Sequence, residues 1–169
     1  MSLIKLIGMT AICVTLLMAG CAALPPADGL AAPGKAHWHG RLGLRVDSSQ
    51  AQAQALSFAA GFELVGSARS GALTLFTPLG TTLASLSWSD QSAVLRQGSD
   101  SQYFESLDAL TVHALGAEIP MAALFAWLAG DAMDAAGWNA DLSLYAQGSI
   151  LARRTQPTPE AEIRLLLEK

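Results

Sequence analysis

Three observations predict a mainly β (α+β) fold, a curved and partly open antiparallel β-barrel with a short helical lid. Apolar and polar residues alternate through most of the chain after His37. Clusters of Gly, Ser, Asp and Pro interrupt those runs at short intervals, as hairpin turns require. Helical periodicity takes over only in the middle, between Ser106 and Gly130.

The chain opens with a different signal. Met1 to Lys5 carries one positive charge, and Leu6 to Gly20 is uncharged and closes on the small residues Ala19 and Gly20. That is the anatomy of an export signal; at fifteen residues the stretch falls short of the roughly 18 needed to span a membrane. Met18-Ala19-Gly20-Cys21 resembles the bacterial lipobox, with Met18 in place of the usual Leu. The resemblance implies cleavage before Cys21 and acylation of that cysteine. Ala22 follows it, where Asp would commonly retain a lipoprotein in the inner membrane, so the expected location is the outer membrane, facing the periplasm.

Composition agrees. Cys13 would leave with the signal at residues 1–20, so the mature chain keeps only Cys21 and can form neither an internal disulfide nor a cysteine-based zinc site. Removing Lys5 with the signal leaves nine basic against fourteen acidic residues, a net charge of −5 that disfavours a nucleic-acid partner. Residues 21–36 mix Pro25, Pro26 and Pro33 with glycines and alanines, which predicts a flexible tether. Residues 37–169 are then enough for one domain with one core.

Within the domain, Leu42, Leu44 and Val46 alternate with Arg41, Gly43 and Arg45. Leu56, Phe58, Ala60, Phe62 and Leu64 form a second one-sided strand. Further strands are predicted at Leu73 to Phe76, Leu83 to Trp88, Ala93 to Gln97, Leu142 to Tyr145, Ile150 to Arg153 and Ile163 to Leu167. Ser106 suits the cap of a helix carrying Leu107 and Leu110. Pro120 suits the first turn of another, whose Met121, Leu124, Phe125 and Leu128 recur at i, i+3, i+4 and i+7 before a stop at Gly130. About six strands thus precede two helices and about three follow, and a sheet with one apolar face needs a cover that the helices supply. Periodicity leaves open whether the interior is solid or hollow.

Other residues point to less. His37 and His39 share a strand face without an evident third ligand, so no metal site is expected. Asp131, Asp134 and Asp141 read as turn acids. Ser106, Asp108 and His113 do not converge on a short helix, and there is no Gly-x-Ser-x-Gly elbow, so no catalytic site and no cofactor are expected. Arg153-Arg154 reads as a small exposed basic spot at a strand edge.

Several segments together resemble the LolB family of outer-membrane lipoprotein receptors. They are Gly40-Arg41-Leu42, Gly61-Phe62-Glu63-Leu64, the stretch from Gly71 to Leu83 containing Thr77-Pro78-Leu79-Gly80, the stretch from Gly116 to Gly130, Gly137-Trp138, and Ala161 to Leu167. The resemblance runs from about Trp38 to the C-terminus and implies that the barrel encloses an apolar cavity. It also implies function: a monomer that receives triacylated lipoproteins from the soluble periplasmic carrier LolA and places their acyl chains in the inner leaflet of the outer membrane. Shelter is the physical requirement, since roughly 0.8 kcal/mol per methylene makes a sixteen-carbon chain worth about 12 kcal/mol.

On that reading, strand parity nominates Phe58, Phe62, Leu64, Leu73, Leu75, Leu86 and Trp88 for the cavity wall, with Leu124, Phe125 and Leu128 beneath the lid. Pro at the second position of the Thr77-Pro78-Leu79-Gly80 turn pushes Leu79 towards solvent. The matching family loop carries a protruding leucine needed to pass lipoprotein into the membrane, which implies a membrane-transfer role for Pro78, Leu79 and Gly80. The alternative is a structural or accessory outer-membrane lipoprotein, solid inside, that binds a protein partner.

Overall fold

The computed structural model describes residues 36–47, 56–115 and 117–168; the export signal, Cys21 and the tether to Lys35 lie outside the described residues. Six strands come first: β1 (Ala36–Val46), β2 (Leu56–Gly66), β3 (Gly71–Phe76), β4 (Thr82–Ser89), β5 (Ser92–Gln97) and β6 (Asp100–Phe104). Two helices follow, α1 (Leu107–Leu115) and α2 (Met121–Ala129), then β7 (Trp138–Asp141), β8 (Ser149–Arg154) and β9 (Ala161–Leu167). All nine strands join one antiparallel sheet in the order β6-β5-β4-β3-β2-β1-β9-β8-β7. β6 and β7 stand at opposite edges and do not pair with each other, so the expected barrel is open.

The register follows from the alternation. Leu44 and Val46 of β1, Phe62 and Leu64 of β2, Ala84 and Trp88 of β4, and Ile163 and Leu165 of β9 are all buried. Because side chains alternate with period two, any one-residue slip would carry these to solvent.

The helix ends obey local chemistry. Ser106 caps α1: its hydroxyl accepts the Ala109 backbone N–H at 3.1 Å. Pro120 sits one residue earlier than expected, as the extended cap of α2 with φ −71° and ψ 100°, and its carbonyl accepts the first helical bond from Leu124 at 2.9 Å. Gly130 ends α2 at φ +89°, where its N–H reaches the Trp127 carbonyl and that of Asp131 reaches Ala126.

Two readings need correction. Leu142 to Tyr145 is no strand: Asp141 ends β7, and its carboxylate accepts the Ser143 backbone N–H at 2.9 Å. A 3-10 turn at Tyr145–Gln147 follows. The side chain thus offers the backbone a partner that competes with the sheet, and the same bond holds the Asp141 carboxyl below its ordinary pKa. Nor is Arg154 part of an exposed basic spot. It shares the inward parity of Ile150 and Ala152, lies over the Trp138 ring at 5.7 Å, and donates to the Pro159 carbonyl at 2.9 Å. Arg153 alone faces outwards, bonded to Glu162.

Candidate functional site

Side-chain volume divides the interior. Below α2, Trp127 and Trp138 are fully buried with ring centroids 6.3 Å apart, and each indole N–H is satisfied, by the Met133 carbonyl at 2.8 Å and the Glu118 carbonyl at 3.0 Å. The Tyr145 hydroxyl donates to the Leu128 carbonyl at 3.0 Å. This side is solid. Below α1 the facing residues are mostly leucines, and a cavity of about 360 Å³ is left.

The cavity occupies the end of the sheet where β1, β3 and β5 finish and β2, β4 and β9 begin. Leu42, Leu44, Phe58, Leu73, Leu75, Ala84, Leu86, Leu95 and Ile163 form its strand wall. Leu107, Leu110, Thr111 and Ala114 of α1, spaced i, i+3, i+4 and i+7, form its roof with Leu115, Ile119, Met121 and Leu124. Trp88 closes the inner end, where Phe125 packs edge-on behind it at 6.5 Å and edge-on against Trp38 at 5.4 Å. Among the described lining residues, Thr111 and Gln97 alone have polar side chains. The Thr111 hydroxyl is used by the Asp108 carbonyl at 3.0 Å, and Gln97 is exposed at the rim. Among the described residues, no titratable side chain lines the cavity. The arrangement can hold an apolar ligand.

The β3–β4 hairpin projects from this same end. The Gly80 N–H donates to the Thr77 carbonyl at 2.9 Å, closing a tight turn, and Thr81 donates to the Thr77 hydroxyl at 3.1 Å. Gly80 at φ +81° supplies the left-handed residue that follows such a turn. Leu79 is left at the tip, 93% exposed.

The family model described as outer membrane lipoprotein LolB matches residues 37–164. The chain belongs to the LolB family. Among similar proteins, the outer-membrane lipoprotein LolB of Bordetella petrii is 29% identical over 90% of this chain and 87% of its own length. Those of Bordetella pertussis and Bordetella bronchiseptica are 30% and 31% identical over 89% of this chain and 86% of theirs.

The residues nominated from sequence divide between the two sides. Phe58, Leu73, Leu75, Leu86, Trp88 and Leu124 line the cavity. Phe62, Leu64, Phe125 and Leu128 do not, although they share the inward parity or helix face and belong to the same core. Leu128 instead borders a separate shallow cleft with Trp38 and Tyr145. The α1 roof escaped nomination, although its spacing matches the one that picked out α2.

The remaining candidates have ordinary partners. His37 stacks on His39 at 5.7 Å and contacts Glu63 at 3.0 Å. Asp134 accepts from Asn139 at 2.9 Å, and His113 packs against Phe104 at 5.3 Å.

Proposed function

We propose that this member of the LolB family is the receptor that accepts acylated lipoproteins from the periplasmic carrier LolA and inserts them into the inner leaflet of the outer membrane. In this reading residues 1–20 are the signal, Cys21 is acylated, residues 21–36 are the tether, and residues 37–169 bind cargo as a monomer. The apolar cavity carries the proposal, since an accessory protein with a solid core has no use for one. Its volume lies at the lower end of the range for ligand sites, about 300–1,000 Å³, so a triacylated terminus requires α1 to move away from the sheet. Transfer needs no catalyst. It runs downhill if this cavity holds acyl chain more tightly than the carrier does and the bilayer holds it more tightly still.

The test is to mix protein lacking the signal and carrying Cys21→Ala with purified carrier already loaded with a lipoprotein, and to ask which protein co-purifies with the cargo. The expected result is movement onto this chain. Cargo that stays on a carrier which a known receptor can unload would remove the mechanism. Leu79→Glu should spare folding and uptake but impair delivery to vesicles, because a charge at the tip opposes entry into the hydrocarbon; unchanged delivery would end the role of that loop.

A further inference from the structure

Four residues both line the cavity and stand exposed: Leu56, Leu83, Gln97 and Ala114. They mark its mouth. Leu83 is there against the parity of its own strand. In β4, Ala84, Leu86 and Trp88 face inwards, and Ser85, Ser87 and Ser89 alternate with them. Regular alternation would set Leu83 on the serine face. The pairing with β3 instead passes from Leu75↔Ala84 to Phe76↔Thr82, leaving Leu83 as an extra residue in a bulge. A bulge bends the strand and re-aims a side chain. Here it brings Leu83 to the cavity wall with 44% of its surface still in water.

Leu56 is a second leucine at the mouth. β2 pairs with β3 only from Gly61 onwards, so Leu56 lies on a stretch that runs past the β3 ladder, 36% exposed. Leucines half in water contribute little to folding, and the neighbouring Thr81, Thr82 and Ser57 show that polar residues are accommodated here. Leu79 stands only four residues before Leu83 at the hairpin tip. The three leucines form a graded series, from 93% exposed at the tip to 44% and 36% at the lips of the cavity.

We propose that Leu83 and Leu56 form an apolar sill across which an acyl chain passes between the cavity and the membrane-facing Leu79 tip, in continuous contact with hydrocarbon. The proposal rests on the receptor reading and assigns the route that reading needs. Without a sill, each methylene leaving the cavity would enter water before reaching lipid; with it, the exposed length at any moment is short. The bulge at Leu83 provides the ramp.

The test uses the lipidated full-length protein in phospholipid vesicles, given carrier-loaded lipoprotein, with cargo uptake and membrane-integrated cargo followed separately. A leucine's contact with a crossing chain equals a few buried methylenes, so Leu83→Ser and Leu56→Ser should each slow delivery on the order of tenfold, and the pair more. Because both leucines also line the cavity, delivery is read per cargo taken up; on that scale the loss should remain while the melting temperature stays at the wild-type value, and Leu83→Met should restore delivery. Leu166→Ser is the control: Leu166 is 52% exposed on β9 and does not line the cavity, so delivery should not change. Wild-type delivery by the double variant overturns the sill, as does a loss of delivery that merely tracks a loss of uptake. A wild-type protein that accepts no cargo overturns the receptor reading itself.

Discussion

Where Trp127 of α2 meets Trp138 the interior is filled, whereas under α1 and the start of α2 a lining made mostly of leucines leaves about 360 Å³ empty, although one continuous sheet serves both sides. The outer surfaces differ as well. Serines occupy the alternate positions of β4, while on β9 Glu162 pairs with Arg153 and Arg164. Tight packing and open space are therefore built in different places. Tryptophans whose N–H groups are bonded fix the solid side in one arrangement, and side chains too short to meet across the gap leave the other side able to admit a guest.

Truncation should break this contrast most visibly. Trp127→Ala removes a fully buried ring and its bond to the Met133 carbonyl, and should cost about 3–5 kcal/mol by chemical denaturation. Leu86→Ala, on the cavity wall, should cost only about 1–2 kcal/mol, because one side of that leucine already faces empty space. Equal losses would mean that the hollow side is as tightly packed as the solid one.

Overfilling probes the same difference in the opposite direction. Ala123 of α2 is wholly buried against the solid core, so Ala123→Phe should destabilise by about 1–3 kcal/mol or prevent folding. Ala84 lies on the cavity wall, where Ala84→Phe has room and should change stability by less than about 1 kcal/mol. It should nonetheless abolish binding of a fluorescent fatty acid. Retained binding with unchanged affinity would show that the cavity is not where an acyl chain lodges.

The division between the sides was only partly legible in the sequence. Alternation reports which face of a strand is inward, and so it found Phe58, Leu73, Leu75, Leu86 and Trp88. It carries no information about depth along the strand, and Phe62 and Leu64, with the same parity as Phe58, do not line the cavity. The helical period that selected Leu124 was equally present in Leu107, Leu110, Thr111 and Ala114, so the cavity roof was readable there. Leu83 was not: its place depends on a bulge set by the pairing of two strands, and its sequence parity points the other way. β6 shows no alternation at all and holds its place by pairing along β5 at the sheet edge. Asp141 ended a predicted strand through a side-chain bond that competes with the ladder.

The smallest effect is expected on the outer face of β9. Hydrogen bonds from the Arg164 guanidinium, and then from Arg153, hold the Glu162 carboxyl below its ordinary value of 4.5. A carboxyl whose folded pKa is depressed stabilises fully above the unfolded value and loses that contribution as pH falls through the lower folded one. The two arginines are well exposed, at 57% and 65%, so solvent screening limits the contribution to about 0.2–1 kcal/mol. Glu162→Gln should therefore lower stability slightly at pH 7 and leave it nearly unchanged at pH 2, reducing the difference between the two. The serine face of β4 offers no such group, so Ser87→Gln should shift both pH values alike. Parallel acid profiles for wild type and Glu162→Gln would show that the triad contributes geometry without free energy, leaving burial in the core as the measurable source of stability.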